Sequence, residues 1–100
     1  MSNILRDYEL VFIAVPQLDD EALAALNQRV AGWITAANGT VTGTNVWGRR
    51  QLAYVIRKYS EGFYVQINFQ LASSGSRELE HSLSLDEQII RHMVIRLDED

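Results

Sequence analysis

The sequence predicts an α+β sandwich of order β-α-β-β-α-β, a four-stranded antiparallel sheet with two helices on one face. Three observations predict it. Residues 63–71 alternate apolar and polar without a break. Residues 20–37 carry an apolar stripe at helical spacing, and further extended and helical stretches complete the order around them. One hundred residues, 47% of them apolar and only one a proline, can bury a modest core and do not suit a disordered chain.

The first strand spans Arg6 to Val15, with Tyr8, Leu10 and Phe12 on one side and Glu9, Val11 and Ile13 on the other. Pro16 removes a donor and ends it. Asp19 or Asp20 can cap the helix that follows, over about residues 20–37, and the acids through Glu21 suit its positive end. Leu23, Leu26, Val30, Ile34 and Ala37 make its stripe, Trp33 widens it, and Gly39 reads as a left-handed stop. Residues 40–58 are extended and rich in threonine and valine, with Gly43 and Gly48 marking bends or bulges.

Lys58 to Gly62 reads as a hairpin connection. In the next strand Phe63, Val65, Ile67, Phe69 and Leu71 form a dry face against Tyr64, Gln66, Asn68 and Gln70. After a loop at residues 72–76, a second helix runs from near Ser76 to about Ser84 and buries Leu79 and Leu83. Leu85 and Ile89 continue its apolar contacts. Residues 90–97 form the last strand, with Met93, Ile95 and Leu97 opposite His92, Val94 and Arg96. Crossover handedness and the need to cover the dry side make this the ferredoxin-like sandwich, a single domain over residues 1–100.

With both helices on one face, the other face is the informative surface. On this register it carries Glu9, Val11, Ile13, Gln51, Ala53, Val55, Tyr64, Gln66, Asn68, His92, Val94 and Arg96. Five aliphatic groups exceed what a wet face requires, which favours a partner's docking patch over a scatter of apolar groups.

Catalytic chemistry finds little support. The absence of cysteine excludes disulfides and thiolate metal sites. His81 and His92 have no zinc-binding spacing and read as a solvated helix flank and an exposed sheet position. Asp19/Asp20 and Asp86/Glu87 read as cap and turn chemistry rather than an acid/base pair. Gly39, Gly43 and Gly48 make no phosphate-loop pattern. A small phosphate- or metabolite-handling enzyme on this sandwich is therefore the weaker alternative, and no cofactor is expected. No apolar run approaches the roughly 20 residues that span a bilayer. The first residues lack the basic start and apolar stretch of a signal peptide. The cytoplasm is the expected location, with no membrane partner.

Net charge is −4, but its distribution matters more. Residues 49–58 hold Arg49, Arg50, Arg57 and Lys58 and no acid, while the other ninety residues sum to −8. The final Asp98, Glu99 and Asp100 read as a solvated, fraying tail. An arginine fork matches two phosphate oxygens, and Trp47 and Tyr54 lie close enough in sequence to stack on unpaired bases. Equally, the arginines can be solubilising groups on a hairpin, with both rings in the core. In an extended chain Arg49 and Arg50 point to opposite sides, so one backbone meets both only if Gly48 bends the strand. The segment Glu61 to Ile67 echoes the aromatic motif of sheets that bind single-stranded RNA. Of that strand only Tyr64 offers a ring to the open face, which directs RNA to loops and edges.

Three segments carry a resemblance: Tyr8-Glu9, the run from Trp47 through Arg49-Arg50-Gln51-Leu52-Ala53-Tyr54 to Lys58, and Gly62-Phe63-Tyr64. From about Tyr8 to Leu97 the chain resembles the bacterial small-ribosomal-subunit protein six family. The resemblance implies the same sandwich and a structural, non-catalytic role. It also implies two partners, ribosomal protein eighteen and the central domain of small-subunit ribosomal RNA, with no DNA. Arg49, Arg50, Arg57, Lys58 and Arg91 are the implied RNA-binding residues. The open sheet face becomes the expected seat of protein docking, at Glu9, Val11, Ile13, Tyr64, Gln66 and Val94. Gln51 stands where relatives often carry a basic residue, and Val55 where proline is frequent. The chain also ends at Asp100 without a long tail. These departures imply one weakened phosphate contact, a retained ladder donor and a trimmed partner interface.

Overall fold

The alternation and stripe described above form the elements expected of them. The computed structural model describes residues 4–97. Its elements are β1 (Leu5–Ala14), α1 (Asp20–Ala36), β2 (Thr40–Ile56), β3 (Tyr59–Ala72), a 3-10 turn (Ser73–Gly75), α2 (Ser76–Leu85) and β4 (Ile89–Arg96). The strands make one antiparallel sheet in the order β2-β3-β1-β4. This is the ferredoxin-like arrangement. The expected acidic tail, residues 98–100, lies outside the described residues.

The main core fills the space between sheet and helices. Tyr8, Leu10, Phe12 and Ala14 of β1 and Val65, Ile67, Phe69 and Leu71 of β3 meet Leu23, Leu26, Val30 and Ile34 of α1 and Leu79 and Leu83 of α2. Phe12, Leu10, Leu26, Val30 and Ile34 are sealed from solvent completely. At the start of α1, Asp19 Oδ1 accepts from Ala22 N at 2.8 Å and satisfies one of the helix's orphan donors. At its end Asn38, not Gly39, takes the left-handed position, with φ 68°. Gly39 serves a different need, because a β-carbon there would stand 2.7 Å from the Gln70 carbonyl and 2.8 Å from Ile34. Arg29 ties α1 to the turn before β4. Its Nε donates to Asp86 Oδ2 at 2.9 Å and its Nη2 to Gln88 Oε1 at 2.9 Å, while Gln88 N donates to Asp86 Oδ1 at 2.9 Å.

Both edge strands depart from the expected register. In β2 the pairing shifts between Val41 and Gly43 and again between Val46 and Gly48. Each slip moves the following side chains to the other face. The second slip restores the phase that the first reverses, so Gln51, opposite Glu61, lies on the helix side rather than the open side expected of it, and Leu52 packs on the helix-free side with Ile13, Val15 and Ile90. In β4 the shift falls at Ile13/Ala14, opposite Ile90. Beyond it Phe12 pairs with His92 and Leu10 with Val94, so His92 and Val94 face the helices. Val94 packs on the main core, and His92 Nε2 lies 3.7 Å from Glu80 Oε1 on α2. The open face of β4 instead presents Met93 and Ile95, both exposed. Leu85, expected in apolar contact, is exposed as well. The clamp around Asp86 offers a clean test of the Arg29 tie. Replacing Asp86 by Ala leaves Arg29 and Gln88 N without their acceptor, and urea unfolding is expected to show a loss of about 1–3 kcal/mol.

Candidate nucleic-acid interface

Four of the five expected RNA-binding residues, Arg49, Arg50, Arg57 and Lys58, stand on one feature, the long β2–β3 hairpin. Its turn is tighter than the sequence suggested. Ile56 pairs with Tyr59, so Arg57 and Lys58 alone make the tip, and residues 59–61 belong to β3. Near the tip the hairpin folds over the helix-free face, where buried Leu52, with Ile56 and Tyr59, covers Ile13, Val15 and Ile90. Ile13, expected to meet a protein partner, is only 8% exposed beneath this arm. The same fold-over brings Tyr54 to Arg91 of β4. The Arg91 guanidinium donates to the Tyr54 hydroxyl and lies 5.9 Å from its ring centroid. Arg57 Nη1 reaches the Ile89 carbonyl at 3.5 Å. Arg57 and Arg91, distant in sequence, thus line one shallow cleft with Ile89 and Ile90.

Arg49 and Arg50 stay apart. Gly48 does bend the strand, with φ 98° in the left-handed region that favours glycine. The bulge places Trp47 on the open face rather than in the core, stacked on Tyr64 with rings 3° from parallel and centroids 6.1 Å apart. Trp47 Nε1 donates to Gln66 Oε1 at 3.2 Å, and Gln66 Nε2 donates to Asn68 Oδ1 at 3.1 Å. Arg50 lies over Trp47, 5.3 Å from the ring centroid. Arg49 lies on the other side of the strand, 5.8 Å from the Phe63 centroid, with its Nε 3.2 Å from Glu61 Oε1. Both members of this last pair are about half exposed, so water screens it and a phosphate can displace the carboxylate at small cost.

The helix-free face therefore has two regions. Its distal end is closed by the hairpin arm. The rest carries Glu9, Val11, Tyr64 and Gln66, partly buried, beside exposed Met93 and Ile95. Sequence reasoning missed the three aromatic–cation contacts, Phe63 with Arg49, Trp47 with Arg50 and Tyr54 with Arg91. A glycine next to Trp47 and two arginines was the available signal, since a bulge there is what turns the ring outward. Among the described residues no group of three or more His, Cys, Asp or Glu is placed to hold a metal ion. No described helix is long and apolar enough to cross a membrane.

Comparison with known proteins decides the family. The family model for ribosomal protein S6 matches residues 7–96. The chain belongs to that family. It is 41% identical over 92 residues to small ribosomal subunit protein bS6 of Clostridium perfringens, covering 92% of this chain and 97% of the relative. To the bS6 protein of Moorella thermoacetica it is 38% identical over 96 residues, covering 96% and 98%. The crystal structure of 30S ribosomal protein S6 from Thermotoga maritima is similar with a TM-score of 0.88 and 32% identity, over 94% of this chain and 89% of that one. The chain is accordingly a structural ribosomal protein and not an enzyme.

Leu52 holds the basic arm in place. Trimming Leu52 to Ala should cost about 2 kcal/mol and loosen the arm before the sheet. Hydrogen exchange is then expected to accelerate at residues 52–59 while the β1 and β3 amides stay protected. Uniform acceleration through the sheet would show instead that arm and sheet open together.

Proposed function

We propose that the chain works in the cytoplasm as the protein-six component of the small ribosomal subunit, binding the central domain of small-subunit ribosomal RNA together with ribosomal protein eighteen. The observation that carries this reading is the basic hairpin. Arg49, Arg50, Arg57 and Lys58 stand on one protruding element of a chain whose remaining residues sum to −8, and the fold-over adds Arg91 to them. Arginine forks match phosphate oxygens, and the partly exposed rings of Trp47 and Tyr54 add surfaces on which an unpaired base can stack.

Protein docking falls to the uncovered part of the sheet. Glu9, Val11, Tyr64 and Gln66 remain available there, whereas Ile13 lies under the arm and Val94 in the core. Met93, 55% exposed, and Ile95, 40% exposed, take over the apolar role assigned to Val94. An uncovered sheet face with exposed apolar side chains on an edge strand is a surface that gains from being covered.

Division of the work between two surfaces makes binding partner-dependent. A filter-binding titration of an RNA fragment from the central-domain junction should show weak binding by the chain alone and much tighter binding once ribosomal protein eighteen is added. Affinity in the ternary mixture should fall steeply with salt, as counterions displaced by the cations return. No gain on adding the partner would sink the proposal. The double substitution Arg49→Ala and Arg50→Ala should weaken RNA binding and flatten the salt dependence, with unfolding little changed because both side chains are exposed. Equal affinity in the two proteins would remove these arginines from the interface.

A further inference from the structure

Four described residues have a left-handed backbone: Asn38, Gly48, Arg57 and Lys58. Asparagine and glycine are the residue types that tolerate this region, so Asn38 and Gly48 follow the steric rule. Arg57 at φ 51° and Lys58 at φ 73° break it twice in succession. The pair forms a two-residue hairpin loop with positive φ at both positions, the geometry for which Asn-Gly is preferred. Strand twist explains the turn type, but it does not explain these side chains.

Nor does the fold reward them. Both residues are exposed, Lys58 has no partner among the described residues, and Arg57 has only its long bond to the Ile89 carbonyl. Two bulky cations are thus held in a backbone conformation that opposes them, at an exposed tip where Arg57 borders only a shallow cleft and only one long hydrogen bond offsets the strain. Strain kept with so little internal compensation points outward, to a ligand. We propose that the Arg57–Lys58 turn is a strained phosphate clamp that grips the sugar–phosphate backbone of RNA, trading folding stability for two adjacent cations beyond the sheet. The inference rests on the RNA reading above and deepens it. Off the ladder, the two side chains escape the alternation that sends Arg49 and Arg50 to opposite sides of β2. Arg57 supplies a planar fork and Lys58 a compact point charge, a combination suited to neighbouring phosphates. An acidic protein surface is the less suitable ligand, because the arm also brings Arg91 and the half-open ring of Tyr54 to the same end.

Two double variants separate strain from charge. Arg57→Asn with Lys58→Gly relaxes the turn and removes both charges; Arg57→Gln with Lys58→Gln removes the charges and keeps the strain. Thermal unfolding and salt-dependent binding to the central-domain RNA fragment, with ribosomal protein eighteen present, are measured for both and for the unaltered chain. The Asn-Gly variant should melt about 4 °C higher or more, and the Gln-Gln variant close to the unaltered chain. Both should lose roughly tenfold in RNA affinity, and the slope of log affinity against log salt should fall by about 2. An Asn-Gly variant that melts no higher would overturn the strain. Unchanged RNA affinity and slope in either variant would overturn the clamp alone, leaving the wider RNA reading standing. Weakened binding to the partner protein with RNA affinity intact would reassign the turn to a protein ligand and overturn it too. An unaltered chain that binds no RNA even with the partner would remove both proposals together.

Discussion

Two helices can cover only one face of a four-stranded sheet, and much of this molecule is shaped by what happens on the other. At its distal end that face carries Ile13, Val15 and Ile90, which would be costly to leave in water. The chain covers them with itself. A 17-residue β2 and a 14-residue β3 run on beyond the sheet's body, and Leu52 turns in over the three apolar groups. Burying one leucine contributes about 2 kcal/mol, enough to hold an arm that few other contacts restrain. The basic tip of the hairpin is positioned by that anchor. It sets Tyr54 beside Arg91 and carries the tip to the start of β4.

Where the pattern in the sequence was unambiguous, the structure follows it. Phe63 to Leu71 alternate in a strand paired on both sides without a slip against β1, and Leu23, Leu26, Val30 and Ile34 are the buried stripe of α1. The edge strands were harder to read, for a physical reason. The run Ile89-Ile90-Arg91-His92-Met93-Val94-Ile95 is apolar at both parities, so hydrophobicity cannot decide which side faces the helices. A bulge opposite Ile90 decides it, and a bulge is a property of the pair rather than of either strand. In β2 the glycines announced the first two irregularities, whose slips cancel, but not the break in pairing between Gln51 and Ile56 where Leu52 turns in over the helix-free face. The cations were legible as a cluster; their separation by Phe63 and Trp47, and the isolation of Arg57 and Lys58 at the tip, were not.

Inside the fold the cations make only light commitments. Arg49 shares a screened carboxylate and the face of Phe63, Arg50 rests on Trp47, and Arg91 on Tyr54. Exposed contacts of this kind contribute about 0.5–1 kcal/mol each. They limit the rotamers a long side chain samples without consuming its charge. A side chain so restrained loses less entropy when it meets a ligand than one waving freely, so weak internal contacts serve recognition as preorganisation. Stronger internal salt bridges would have been the poorer arrangement, because each would have to be broken before a phosphate could bind.

Segregation of charge completes the argument. An acidic protein repels a polyanion on average, yet averages apply only where the field is long-ranged. The molecule is 42 Å along its greatest axis, several times the Debye length of about 8 Å in physiological salt. An acid more than a Debye length from the hairpin is therefore screened from a polyanion that approaches it, which meets the local +4 of residues 49–58 and, of the acids, the exposed Glu61 beside Arg49. Approach to the rest of the chain meets a surplus of acids and is disfavoured. The acidic surplus thus does not weaken the basic arm; it orients the encounter, and leaves the uncovered sheet face free for a partner of a different kind.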